Sequence, residues 1–258
     1  MDSLLDQDAN QVDCRIARGY THQYAKRWEE AKQDFDKVLN LAESSDPVWL
    51  EAAEESAWCE IQLGEKETGI QALRFVIETL DKRQDAETAQ ARAWWRLGKA
   101  VWDEDDKESV LESYKLWITS LKRSSSFAPA YTSLGIYYTE HVQPPDATRA
   151  SKCFQKAFEL DAREAEAARR LAEGFVEEQE WDLAEIIAKR TIEGEGGIEA
   201  QIPGANEPLL SRHIPTNVWA WKVAGLVALV SRECHHESRL TFAARISVTT
   251  LKPYNLFK

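Results

Sequence analysis

The feature that most restricts this chain is a recurrence. Trp94-x-x-Leu97-Gly98, Tyr131-x-x-Leu134-Gly135 and Ala168-x-x-Leu171-Ala172 follow one another at intervals of 37 residues. A period of roughly 20–50 residues marks a stacked-repeat architecture, in which each repeat is one supersecondary unit. After each opening comes a stretch with small, large and small residues at i, i+4 and i+7: Ser113, Trp117 and Ser120, then Ala150, Phe154 and Ala157, then Ala184, Ala188 and Thr191. That spacing places the three on one stripe of a helix. Small side chains let two helices approach to about 8–10 Å while the large one fills the groove beside them, so each repeat reads as an antiparallel helix pair. With only 11 Gly and 8 Pro in 258 residues, the chain lacks the turn formers of a many-stranded sandwich or barrel.

The Trp/Tyr-x-x-Leu-Gly opening followed by Ala-x-x-x-Phe-x-x-Ala resembles the tetratricopeptide repeat (TPR), whose period is about 34 residues. The expected fold is all-α, a right-handed superhelical solenoid of TPR-like antiparallel helix pairs. Gly98 to Ser113 and Gly135 to Ala150 are both 15 apart, which puts the extra residues of these units in the turn or at the helix ends. Pro144-Pro145, which a helix interior excludes, falls in one of those turns. Weaker copies flank the three clear ones. Gly19, Ala31, Phe35 and Val38 keep the spacing in a unit beginning near Val12, and Ala72, Val76 and Thr79 suggest the second helix of a unit beginning near Ala53.

The expected organisation is therefore an N-terminal tail over 1–11, about five helix pairs over 12–192, a Gly/Pro-rich inserted loop over 193–215, and an incomplete sixth repeat with an atypical tail over 216–258. The sixth opens at Trp221-x-x-Ala224-Gly225, but twelve residues past Gly225 stands Glu237, with Thr241 at the large position.

A single hairpin cannot bury its apolar face alone, so neighbouring pairs share a core, and Trp94, Trp117, Tyr131 and Phe154 are expected to pack there. The concave face of such a solenoid, lined by the first helices, holds extended peptides or partner helices. If the repeat geometry holds, Arg92, Trp95, Lys99, Trp102, Thr132, Ile136, Thr139, Arg169 and Glu173 line it, and Trp95 and Trp102 are the candidate partner anchors, because Trp and Arg dominate interface energetics.

Charge and chemistry narrow the function further. A net charge of -12 repels a phosphate backbone, although residues 211–258 carry 7 bases against 2 acids. Direct nucleic-acid binding is not expected. Four cysteines, at 14, 59, 153 and 234, form no disulfide framework, and neither an export signal nor a membrane span is legible. Cys234-His235-His236-Glu237 gathers metal-capable groups, but neighbours on a helix point about 100° apart and do not converge on one ion. Cys59 and Cys153 read as small packing thiols, and Asp103-Glu104-Asp105-Asp106 as a solvated turn. No catalytic, cofactor or metal residue is assigned.

Beyond the repeat itself, Phe127-Ala-Pro-Ala-Tyr-Thr-Ser-Leu-Gly-Ile-Tyr-Tyr138, continued by Arg149-Ala-Ser-Lys-Cys-Phe-Gln-Lys-Ala-Phe-Glu-Leu-Asp161, resembles the TPR scaffold subunit of the superkiller (Ski) complex in its fungal form. Ala93-Trp-Trp-Arg-Leu-Gly98 and Glu180-Trp-Asp-Leu-Ala184 are similar too, and the resemblance extends over roughly 12–230. It implies a non-catalytic cytoplasmic scaffold, with the nucleus as a second compartment. It also implies as partners a DExH-box RNA helicase and WD-repeat subunits, serving exosome-dependent 3′-to-5′ messenger decay. Members of that family are much longer arrays, so the chain resembles an internal segment or a truncated form. The alternative is a TPR peptide-binding co-chaperone or adaptor unrelated to RNA decay. Against it, carboxylate-clamp modules place Asn after the repeat glycine, where this chain has Tyr20, Lys99, Ile136, Glu173 and Leu226.

Overall fold

The computed structural model describes residues 11–44, 46–194 and 217–233. Among the described residues the chain forms eleven α-helices and no strand. In chain order these are α1 (Val12–Tyr24), α2 (Trp28–Leu41), α3 (Pro47–Gln62), α4 (Lys66–Leu80), α5 (Glu87–Val101), α6 (Lys107–Arg123), α7 (Ala128–Glu140), α8 (Ala147–Leu160), α9 (Ala165–Glu177), α10 (Trp181–Gly194) and α11 (Val218–Glu233). The chain divides into two compact units, Met1–Ala130 and Tyr131–Lys258.

Within the first unit α1 packs on α2, α3 on α4 and α5 on α6, while α2 also meets α3 and α4 meets α5. In the second, α9 packs on α8 and α10, and α10 on α11. This sequential pairing is what a stacked hairpin array requires, because each pair covers an apolar face that its neighbour leaves open.

The turns that close the pairs come in two kinds. Lys26, Gly64 and Gln179 each stand two residues past a helix end, directly after its C-cap, with φ of 57°, 95° and 62°. The next backbone N–H, from Arg27, Glu65 or Glu180, donates back to the carbonyl of His22, Glu60 or Phe175. These left-handed C-terminal caps satisfy carbonyls that a helix end leaves free, and they reverse the chain in three residues. The α5–α6 and α7–α8 connections are longer and end on carboxylate caps: Asp106 accepts from the Glu108 and Ser109 backbone, and Asp146 from Arg149. The additional residues of these two repeats thus lie in the turns. The acidic run Asp103–Asp106 is one of them, and its last residue is a helix cap.

The small–large–small stripe is buried in every second helix. Ala31, Phe35 and Val38 are fully buried, Ser113 and Ser120 flank Trp117 at 2% exposure, and Ala150 and Ala157 flank Phe154 at 4%. Opposite each large ring stands a glycine of the first helix. A Cβ on Gly19 would lie 2.7 Å from Phe35 Cζ, one on Gly98 2.7 Å from Trp117 Cδ1, and one on Gly135 2.6 Å from Phe154 Cδ1. All are far inside van der Waals contact, so here glycine serves close approach. Leu97, Leu134 and Leu171 are buried beside them, as are Ala168, Ala172 and Ala184. Trp94 and Tyr131 are half-buried against the cores of their own units.

The second pair departs from the reading of its sequence. Its first helix begins at Pro47, capped by Asp46, not near Ala53. The buried stripe of α4 is Gly69, Leu73 and Val76. Ala72 and Thr79 are only half-buried, and the Thr79 hydroxyl donates to the Phe75 carbonyl within its own helix. The reason is that the glycine has changed sides. Ala57 occupies the first-helix position, and a Cβ on Gly69 would lie 2.7 Å from the Ala57 carbonyl oxygen.

Candidate protein-docking face

Three first helices of the Met1–Ala130 unit, α1, α3 and α5, carry a continuous set of polar and aromatic groups. Glu54 and Glu55 of α3 are each 1% exposed. Arg92 of α5 grips Glu54 through Nε at 2.9 Å and Nη2 at 2.7 Å. Arg96, one turn on, bridges Glu54 at 3.1 Å and Glu55 at 2.9 Å. From α1, Gln23 donates to Glu55 at 3.0 Å, and the Tyr20 hydroxyl donates to Glu51. Buried carboxylates persist only when paired and hydrogen-bonded, and both conditions are met here.

The titration behaviour follows from the same contacts. Burial alone would raise the Glu55 carboxyl, but the charge and hydrogen bond of Arg96, aided by Gln23 and Arg92, hold it below the usual carboxylate range. Burial, then the Glu55 and Glu51 carboxylates, push the Tyr20 phenol upward, so it stays a neutral donor. Burial raises the Cys59 thiol to about 11, which keeps it from acting as a nucleophile at neutral pH.

Beside the charges runs a row of rings. Trp95 sits 6.4 Å from Trp58 and, edge-on, 5.9 Å from Phe127 between ring centroids, and the Arg96 guanidinium lies 5.4 Å over the Trp58 ring. The result is a polar and aromatic surface held by ion pairs beneath it, which suits recognition of another macromolecule.

The expected docking residues fall in different environments. Arg92 and Trp95 belong to the network just described, and Lys99 is exposed on the same helix. Trp102 is not on the first helix but caps its end, and its ring packs 5.1 Å from Trp117, which turns it toward the helix pair. In the Tyr131–Lys258 unit Thr132 is 7% exposed and donates to Glu164 at 2.9 Å, so packing takes up a position read as open surface. Thr139 donates to the Gly135 carbonyl and Ile136 packs against the core of this unit. Arg169 joins Glu166 and Glu173, each at 2.6 Å, and Arg170 joins Glu166 and Glu140. Arg169, Arg170, Glu140 and Glu173 rim a groove of about 600 Å³ over Phe154, Leu171 and Phe175. The cluster from Cys234 to Glu237 lies outside the described residues.

Glu54, Glu55, Arg96 and Trp58 were not picked out from sequence. The available signal was two adjacent carboxylates inside the apolar stretch Leu50–Cys59, with Arg92 and Arg96 spaced i, i+4 about one repeat later.

All-α helix pairs with one recurring stripe, stacked in chain order within each unit, define a TPR-type protein-interaction scaffold. Superkiller protein 3 of Schizosaccharomyces pombe is 32% identical over 192 residues, which is 74% of this chain and 13% of that protein. Superkiller protein 3 of Saccharomyces cerevisiae is 28% identical over 240 residues, 90% of this chain and 15% of that protein. The chain is thus a TPR segment homologous to part of Superkiller protein 3, spanning under one sixth of either relative's length. No protein-family model matches it. Two solved structures share the fold alone. Yeast Tom70 has a TM-score of 0.58 at 17% identity, covering 96% of this chain and 45% of its own, and a thermophilic TPR protein of Thermus thermophilus has 0.53 at 15%, covering 84% and 99%.

Proposed function

We propose that this chain is a non-catalytic scaffold of the superkiller type, docking protein partners on the face of its first helices in support of exosome-dependent messenger decay in the cytoplasm. The observation that carries the proposal is its homology to Superkiller protein 3 over 74% of its length. By that resemblance the partners are a DExH-box RNA helicase and WD-repeat proteins. We assign partner contact to Arg92, Trp95, Lys99 and Trp102 in the first unit and to Ile136, Thr139, Arg169 and Glu173 in the second, none of them fully buried. Acidic net charge agrees with leaving RNA handling to a partner.

The experiment is affinity purification of the full chain with mass spectrometry, alongside Lys99→Glu and Trp95→Ala variants checked for folding by circular dichroism. Co-purification of a helicase and WD-repeat proteins, weakened by either variant, is expected. A folded bait that recovers neither class rejects the superkiller reading. Micromolar binding of an acidic C-terminal peptide instead would favour an adaptor module.

A further inference from the structure

The groove of the Tyr131–Lys258 unit, about 600 Å³ between the end of α7, the start of α8 and α9, is chemically one-sided. Phe154 and Leu171 close its floor, and Ala147 and Phe175 leave apolar surface open beside them. Gly174 forms part of the wall, where an added Cβ would meet no described atom within 4 Å. Glycine inside a helix is destabilising relative to alanine. At Gly135 the bare position seats Phe154, but at Gly174 no ring arrives, and the missing side chain leaves helix backbone open to the groove, the close approach that glycine gives a ligand.

The charge around the groove is unbalanced. Arg169 is held by Glu166 and Glu173, each at 2.6 Å, and Arg170 by Glu140 at 2.6 Å and Glu166 at 2.9 Å. Both guanidiniums are engaged by the chain's own carboxylates, so an anionic ligand would have to displace these. Glu177 and Glu178 line the same groove, are exposed, and have no ion pair among the described residues. Burial, with Glu166 beside it, pushes the Glu173 carboxyl up against the pull of Arg169 and Arg170, so a further cation would stabilise its charged form. No lysine lines the groove among the described residues.

We propose that this groove binds a basic, amphipathic segment of a partner protein, with Lys or Arg side chains against Glu173, Glu177 and Glu178 and an apolar side chain between them over Gly174 and Phe175. The proposal rests on the docking reading above, to which Arg169 and Glu173 belong, and supplies the partner's chemistry at that place. Charge complementarity selects the segment and steers its approach, while the apolar floor gives it a register.

Fluorescence anisotropy with the full chain tests this, using labelled, end-capped peptides of alternating Lys and Leu, Lys and Ser, or Glu and Leu. The Lys/Leu peptide is expected to bind most tightly, with an affinity that falls as salt rises. Gly174→Leu, which puts a side chain into the groove, and the double variant Glu177→Lys/Glu178→Lys should each weaken that binding about tenfold. Glu159→Lys/Glu185→Lys makes the same charge change outside the groove lining and should alter it less than about twofold. Circular dichroism confirms that each variant is folded. Preference for the Glu/Leu peptide, equal binding of the Lys/Ser peptide, indifference to Gly174→Leu, or an equal loss in the control variant overturns the proposal. Failure of the peptide to bind a chain that still recovers a helicase and WD-repeat proteins overturns the groove alone. Peptide binding by a chain that recovers neither class supports the groove and rejects only the superkiller reading.

Discussion

Alanine at Gly135 and at Gly174 is one substitution with two expected signs. Both glycines are helical and both lie in the Tyr131–Lys258 unit. A Cβ on Gly135 would lie 2.6 Å from Cδ1 of Phe154, about an ångström inside normal contact, and the ring has no easy retreat because it is 4% exposed between Ala150 and Ala157. Overpacking of this kind costs about 1–3 kcal/mol. The gain from replacing glycine in a helix is about 0.8–1 kcal/mol, so the net loss is roughly 0–2 kcal/mol. At Gly174 nothing lies within 4 Å of the added carbon, and the propensity gain stands alone at up to about 1 kcal/mol. Repeat arrays need not melt as one unit, so peptide-resolved hydrogen exchange over α7–α8 and α9 is the assay, with thermal melting as a second measure. Gly135→Ala should speed exchange in α7 and α8, and Gly174→Ala should slow it in α9. Equal stabilisation by both would refute the seating of Phe154 over Gly135. Gly135→Trp and Ala157→Trp press the same interface harder and should cost more.

Replacing Arg96 with Met leaves Glu54 and Glu55 short of a buried partner, and loss of one member of such a pair costs about 3–5 kcal/mol. Lys189→Ala, which breaks an exposed pair with Glu185, should change urea stability by less than about 1 kcal/mol. Because the folded Glu55 carboxyl titrates below its unfolded value, its contribution is present above the unfolded pKa and lost as pH falls through the folded one. Glu55→Gln should therefore flatten the acid limb of a stability–pH curve, and an unchanged limb would count against the Arg96 contact. Gly64 has φ of 95° and open space around it, so Gly64→Ala tests backbone strain alone and should destabilise by about 1–2 kcal/mol in a denaturant titration.

Local periodicity made the helix pairs legible. The stripe from Ser113 through Trp117 to Ser120, and its copies, announces itself within two helical turns, because side chains at i, i+4 and i+7 share a face whatever lies across from them. The glycines before these stripes precede their rings by 19 residues at Gly98 and Gly135 and by 16 at Gly19. The same i, i+4, i+7 stripe misread the second repeat, where it selected Ala72, Val76 and Thr79. No local pattern says which of two facing helices carries the small residue, and α3 and α4 exchange that role through Ala57 and Gly69.

The sequence by itself determined the fold class, since helix formation and hairpin packing here depend on neighbours a few residues apart and recur often enough to be counted. Only the tertiary structure decided the chemistry of the candidate face on α3 and α5. Glu54 and Glu55 look like surface charge until Arg92 and Arg96 arrive from 38 and 41 residues away to neutralise them. Whether a carboxylate in a helix faces water or a guanidinium depends on burial and on a distant partner, and neither quantity is local to the chain.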